Sequence, residues 1–175
     1  MSTCDICTIL KNKEMFKFVY EDDLCFAILH ESPAVEGHTL VIPKEHCPII
    51  EELDDNIVEH LFNVCNIIST ALFETMGAHG TNIVLNNGTD AGQELPHLVI
   101  NVLPRKENDN LNFEWSAKQS TNEQLQGVKA NLKVYSKAIY SGKDSLPKVK
   151  LMPEKEKKEK KEDEDYLAKQ LNRMP

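Results

Sequence analysis

The sequence predicts an α+β domain built on a five-stranded, largely antiparallel sheet, with one long helix and a C-terminal helix. Three observations predict it. Five short β-rich segments lie before residue 104, the segment between the third and fourth changes to helical period, and the connections are rich in Gly, Pro, Asn and Asp. The 175 residues are 41% apolar and 27% charged, enough for one ordinary core and a tail.

Segments 16–20 and 24–29 are the first two strands, and Glu21-Asp22-Asp23 between them makes a hairpin. Ser32-Pro33 breaks the second. The third, Thr39-Leu40-Val41-Ile42, stops at Pro43, which removes a ladder donor. From Asp54 onward Ile57, Leu61, Val64, Ile67, Ile68, Ala71 and Leu72 recur at three- and four-residue steps; Asp54 or Asp55 caps this helix and Gly77 closes it. Strands 81–85 and 98–103 follow, joined by Asn86-Asn87-Gly88-Thr89-Asp90-Ala91-Gly92, a loop of residues that tolerate positive φ. Taken in order, the strands predict a meander.

A second helix over 120–140 places Leu125, Val128, Leu132, Tyr135 and Ile139 on one stripe that needs a partner surface. The predicted division is therefore a domain over 1–108, a helical segment over 109–142 packing on or beside it, and a charged tail over 143–175. In that tail the Lys/Glu run 154–162 is too polar to bury and reads as a solvated segment, with Leu167 and Leu171 as anchors should it dock on a larger assembly.

Charge is uneven. The chain carries 20 Lys+Arg and 28 Asp+Glu, net −8, yet residues 1–142 carry −10 and the remainder +2. An acidic body argues against a broadly cationic nucleic-acid-binding surface. No apolar run approaches the ~18–20 residues that span a bilayer, and MSTCDICTIL lacks the layout of a secretory signal, so a cytoplasmic protein is expected. Five cysteines, at 4, 7, 25, 47 and 65, do not form a disulfide scaffold; Cys25 and Cys65 read as small core residues.

Cys4-Asp5-Ile6-Cys7 has the spacing that lets one backbone turn offer two thiolates to a tetrahedral ion, with a redox pair as the alternative. Completion would come from His30, His38, His46, His60, His79, His97 or Cys47. His60 and His79 read as solvated surface histidines. His46 and His97 stand at strand ends, where two ligands can converge.

The segment Asn86-Asn87-Gly88-Thr89-Asp90-Ala91-Gly92-Gln93-Glu94-Leu95-Pro96-His97-Leu98-Val99-Ile100-Asn101-Val102-Leu103-Pro104-Arg105 closely resembles the signature loop and strand of the histidine-triad (HIT) nucleotide-binding family. So does Gly37-His38-Thr39-Leu40-Val41-Ile42-Pro43-Lys44-Glu45-His46. The resemblance implies a HIT-like fold, and in the zinc-carrying branch it implies a structural Zn²⁺ held by Cys4, Cys7, His46 and His97. It further implies a nucleotide site drawn from Ile28, His30, Glu31, His38, Asn86, Gly92, Gln93 and Asn101, and a homodimer.

The family motif His-φ-His-φ-His reads His97, Val99 and Asn101 here, on one strand face by alternation. In active members the central histidine attacks the α-phosphate; an isopropyl group has no lone pair to do so. His38 resembles an accessory histidine beside the triad and is the titratable group expected near a phosphate, while Asn101 can hold a phosphate oxygen through its amide. His30 stands where active relatives tend to carry an acidic ribose-binding residue, with Glu31 one step on, and Glu94 where a small hydroxyl residue is common. The expectation is a degenerate member that binds a purine nucleotide or related phosphate compound without efficient nucleotidyl transfer. A residual phosphoramidate or phosphoester hydrolase is the alternative, as is a non-catalytic interaction module using the charged tail.

Overall fold

The computed structural model of the chain describes residues 4–140. The chain divides into two units, one ending at Glu114 and the next beginning at Trp115. The first holds α1 (Asp5–Ile9), β1 (Phe18–Glu21), β2 (Cys25–Leu29), β3 (Thr39–Pro43), α2 (Asp55–Met76), β4 (Gly80–Leu85) and β5 (Ile100–Arg105). The second holds α3 (Asn122–Tyr140). The predicted tail, with Leu167 and Leu171, lies outside the described residues.

All neighbouring strands pair antiparallel, in the order β1-β2-β3-β5-β4. The expected meander is therefore corrected: α2 carries the chain from β3 to the edge strand β4, and β5 returns to fill the gap between them. Antiparallel pairing on both sides of β5 satisfies its backbone, an arrangement that short-range sequence signals do not specify.

Alternation along the strands gives the sheet two different faces. Cys25, Ala27, Val41, Ile100 and Val102 pack in one core with Leu61, Val64, Cys65, Ile68 and Leu72 of α2. On the opposite face Phe26, Ile28 and Ile42 pack with Ile6 and Ile9 of α1, joined by half-buried Leu40 and Val99. Leu40 pairs in register with Asn101, so β3 and β5 present those two residues to that second face together.

Local chemistry explains the boundaries. Asp54 caps α2, its Oδ1 accepting from the Asn56 amide at 2.9 Å, and Gly77 ends the helix at φ 62°. Thr121 and Gln124 exchange side-chain to backbone hydrogen bonds, a capping box that starts α3 at Asn122 rather than at residue 120. On α3 Leu125, Val128 and Leu132 are exposed. A 3-10 turn over Lys13–Met15 delays β1 to Phe18, and donation from the Leu98 amide to Cys47 O at 2.7 Å keeps residues 98 and 99 out of β5. Pro43 and Pro104 lie inside strands. Beyond the β3–β5 register, which runs from Thr39 to Val41 and from Ile100 to Val102, each strand has one neighbour, so the missing N–H costs no ladder bond on the open side.

Candidate metal centre and ligand cavity

Cys4 is the N-cap of α1 and Cys7 lies one turn on, while His46 follows β3 and His97 precedes β5. The topology brings these four side chains together, with their donor atoms all within 4.8 Å of one another. His46 Nδ1 and His97 Nδ1 are 3.3 Å apart; Cys7 Sγ is 3.4 Å from His46 Nδ1 and 3.8 Å from His97 Nδ1, and Cys4 Sγ is 3.6 Å from His97 Nδ1. A tetrahedral zinc ion with ordinary bond lengths requires N···N edges of about 3.3 Å and S···N edges of about 3.5 Å. The donor set therefore fits zinc.

His97 is fully buried and donates Nε2–H to Pro43 O at 3.0 Å, which turns Nδ1 and its lone pair toward the two thiols. Burial, with neighbouring His46 adding to it, pushes the His97 pKa down against the opposing hydrogen bond to Pro43. That favours the neutral ring a metal needs. Cys47, a candidate ligand by sequence, stands apart and donates Sγ–H to Ile49 O. His60 is not the solvated histidine expected: it is half-buried and bonded to Asp22 Oδ2 at 2.6 Å. His79 is exposed.

A cavity of about 200 Å³ opens beside this centre, on the sheet face opposite α2. His97, Val99 and Asn101 share its wall, as strand alternation predicts. His30, Asn86, Gly92, Gln93 and Glu94 also line it. Leu40 and Leu95 complete it, beyond the residues the sequence predicts; the signal for Leu40 is its register opposite Asn101, which requires the strand order.

His38 is not part of this wall. Its Nδ1 accepts from the Ala34 amide at 3.3 Å, so Nε2 carries the proton and donates to Asn101 Oδ1 at 3.0 Å. Asn101 in turn donates to Val84 O at 3.2 Å. Burial, and secondarily His30, pushes the His38 pKa down against the Asn101 hydrogen bond. His38 is thus a buried ring with both nitrogens hydrogen-bonded, and it orients Asn101. Gln93 is also largely scaffold, because its Oε1 accepts from Gly88 N while its Nε2 donates to Pro48 O and Leu95 O. Asn86 donates to Gly92 O. At Gly92, φ is +87° and an added Cβ would meet only Asn86 Nδ2, at 3.6 Å, so the turn conformation and not crowding requires glycine.

A second, largely apolar cavity of about 230 Å³ is lined by Ile6, Ile9, Phe16 and Ile28, and it shares His30, Leu40 and Leu95 with the first. His30 stands at the junction. Its Nδ1 accepts from Ser32 N at 2.9 Å, and its ring stacks on His38 with centroids 4.6 Å apart. Glu31, beyond the end of β2, is exposed and lines the apolar cavity only. The pair of cavities can take a flat apolar group on one side of His30 and a polar group on the other.

The model of the HIT domain matches residues 12–108, which leaves Cys4 and Cys7 just ahead of the matched span. Adenylylsulfatase HINT3 of Arabidopsis thaliana is 38% identical over 106 residues, or 61% of this chain and 54% of that protein, so the chain spans about half of that relative's length. The crystal structure of a HIT family protein from Bacillus anthracis is 35% identical with a TM-score of 0.69, covering 75% of this chain and 96% of that one. A Zn-bound histidine triad family protein from Mycobacterium smegmatis is 31% identical with a TM-score of 0.60, covering 78% of this chain and 97% of the other. With its signature segments, five-stranded antiparallel sheet and matched domain in agreement, the chain belongs to the HIT domain family.

Proposed function

We propose that this chain is a zinc-stabilised HIT domain that binds a purine nucleotide or a related phosphate compound without efficient nucleotidyl transfer. The observation that carries the reading is Val99, an aliphatic side chain in the cavity wall between His97 and Asn101. The two histidines nearest that position are committed elsewhere. His97 directs Nδ1 at the thiols and Nε2–H at Pro43, and His38 has both nitrogens engaged. Without covalent attack, transfer falls by orders of magnitude while ground-state binding survives.

The apolar cavity suits a purine base, and the polar one suits the sugar and phosphate. That the Arabidopsis relative is named an adenylylsulfatase supports an adenylyl compound as ligand class. Four protein donors leave no open coordination position, so zinc acts structurally and ties the N-terminus to two strand ends. A homodimer is supported by β4 standing at the sheet edge with Ile83 exposed, and by exposed Phe62 and Phe73 on one stripe of α2.

Isothermal titration with AMP and GMP, paired with an adenosine 5′-phosphoramidate turnover assay on wild type and Val99→His, tests this. Binding without turnover by the wild type is expected. No heat at millimolar nucleotide, or rapid AMP release by the unaltered protein, would overturn it.

A further inference from the structure

Resting on the nucleotide-binding reading above, we propose that Glu94 makes this site select a nucleoside whose phosphate carries one negative charge, as in a phosphodiester or phosphoramidate, over the dianionic 5′-monophosphate. Two features of the cavity walls lead there. Among the described residues, three carboxylates, Asp5, Glu31 and Glu94, line the joined cavities, and no Lys or Arg does. Glu94 alone of the three lines the polar cavity, which Val99 and Asn101 also line.

Among the described residues, the side-chain donors left for a ligand are one imidazole and two amides. With its Nδ1 accepting from Ser32 N, His30 offers Nε2–H. Asn86 and Asn101 each use one amide N–H on a backbone carbonyl and keep the other. The backbone amides of Gly92 and Gln93 close the loop's own turn onto Thr89 O and Gly88 O. Neutral donors can hold a phosphoryl oxygen, but they do not neutralise a second charge. A phosphate monoester is dianionic above its second pKa of about 6, whereas its methyl ester or amidate stays monoanionic. An extra negative charge roughly 6 Å from a solvent-facing carboxylate weakens binding about three- to tenfold at effective dielectric constants of about 40–80.

The test is titration of the full-length chain at pH 8 and low salt with AMP and with adenosine 5′-(methyl phosphate), in wild type and Glu94→Gln. Glu94 is exposed, so the variant should fold, and a thermal melt checks that it does. The wild type should bind the methyl ester about three- to tenfold more tightly than AMP. Glu94→Gln should close that gap to within about twofold by tightening AMP, and 0.5 M salt should narrow it in the wild type. Equal or tighter AMP binding by the wild type, or an unchanged gap in Glu94→Gln, overturns the inference and leaves nucleotide binding standing. Failure of both ligands to bind at millimolar concentration overturns the nucleotide reading and this inference together.

Discussion

His38 donates Nε2–H to Asn101 Oδ1 across 3.0 Å, and Asn101 donates its own amide N–H to Val84 O, so the residue that enters β3 is tied to β5 and β4 through one side-chain relay. His38 is 7% exposed, so removing its acceptor would leave a buried ring N–H unpaired. Asn101→Leu should therefore cost about 1–3 kcal/mol of unfolding free energy, more than the lost amide contact alone. Urea denaturation would show it. A double variant that also replaces His38 with Leu should lose less than the two single variants summed, because the orphaned donor is gone.

The Cys4, Cys7, His46 and His97 cluster predicts one zinc per chain. Cys4→Ser should lower both the zinc content and the melting temperature, and a strong chelator should produce the same shift in the wild type. Burial, then the adjacent Cys4, pushes the Cys7 thiol up, so metal must displace its proton. Retention of zinc should accordingly fall as the pH is lowered, read by metal analysis after dialysis at stepped pH. A metal-free protein that melts at the wild-type temperature would contradict the assignment.

These two sites differ in how far the sequence reveals them. The candidate metal donors are legible because they lie in a CxxC turn and just outside the ends of two strands. The shared face of His97, Val99 and Asn101 follows from alternation. The insertion of β5 between β3 and β4 is a long-range pairing with no local signature, and it alone sets Leu40 opposite Asn101. The inward commitment of His38 and Gln93 is equally hidden, since a polar side chain's partner depends on which backbone carbonyls the fold delivers to it. The Asp22–His60 bond joins residues 38 apart and has the same origin.

Gly37 packs where β3 begins against the end of α2. Its φ is +87°, and an added Cβ would lie 2.6 Å from Met76 Sδ and 3.1 Å from Leu72 Cδ2. The methionine can swing away, but the backbone conformation stays unfavourable for an L side chain. Gly37→Ala should lose about 1–3 kcal/mol. Gly77→Ala, at φ +62° with open space around it, should lose less, which separates strain from crowding in a chemical-denaturation series.

Asp22 gathers five donors at the hairpin between β1 and β2: Tyr20 Oη and His60 Nε2 each at 2.6 Å, the amides of Leu24 and Cys25 each at 2.8 Å, and the Cys25 thiol at 3.8 Å. Burial pushes its carboxyl up, but the hydrogen bonds from Tyr20, the Cys25 amide, His60 and the Leu24 amide together hold it well below the usual carboxylate range. The bond to Asp22 likewise helps push the Tyr20 hydroxyl up to about 12. A carboxyl with a folded pKa below its unfolded value of about 3.9 stabilises the fold above that value, and the contribution is lost as pH falls below it. Asp22→Asn should then cost about 1–2 kcal/mol at pH 7, since the carboxylate is partly solvated and one amide proton would face its former donors. Below about pH 3 the gap between variant and wild type should shrink, because the unfolded wild type takes up a proton that the folded carboxylate resists. Urea midpoints at pH 7, 4 and 2.5 measure this, and a gap that stays constant across the series would show that Asp22 acts through shape and not through its charge.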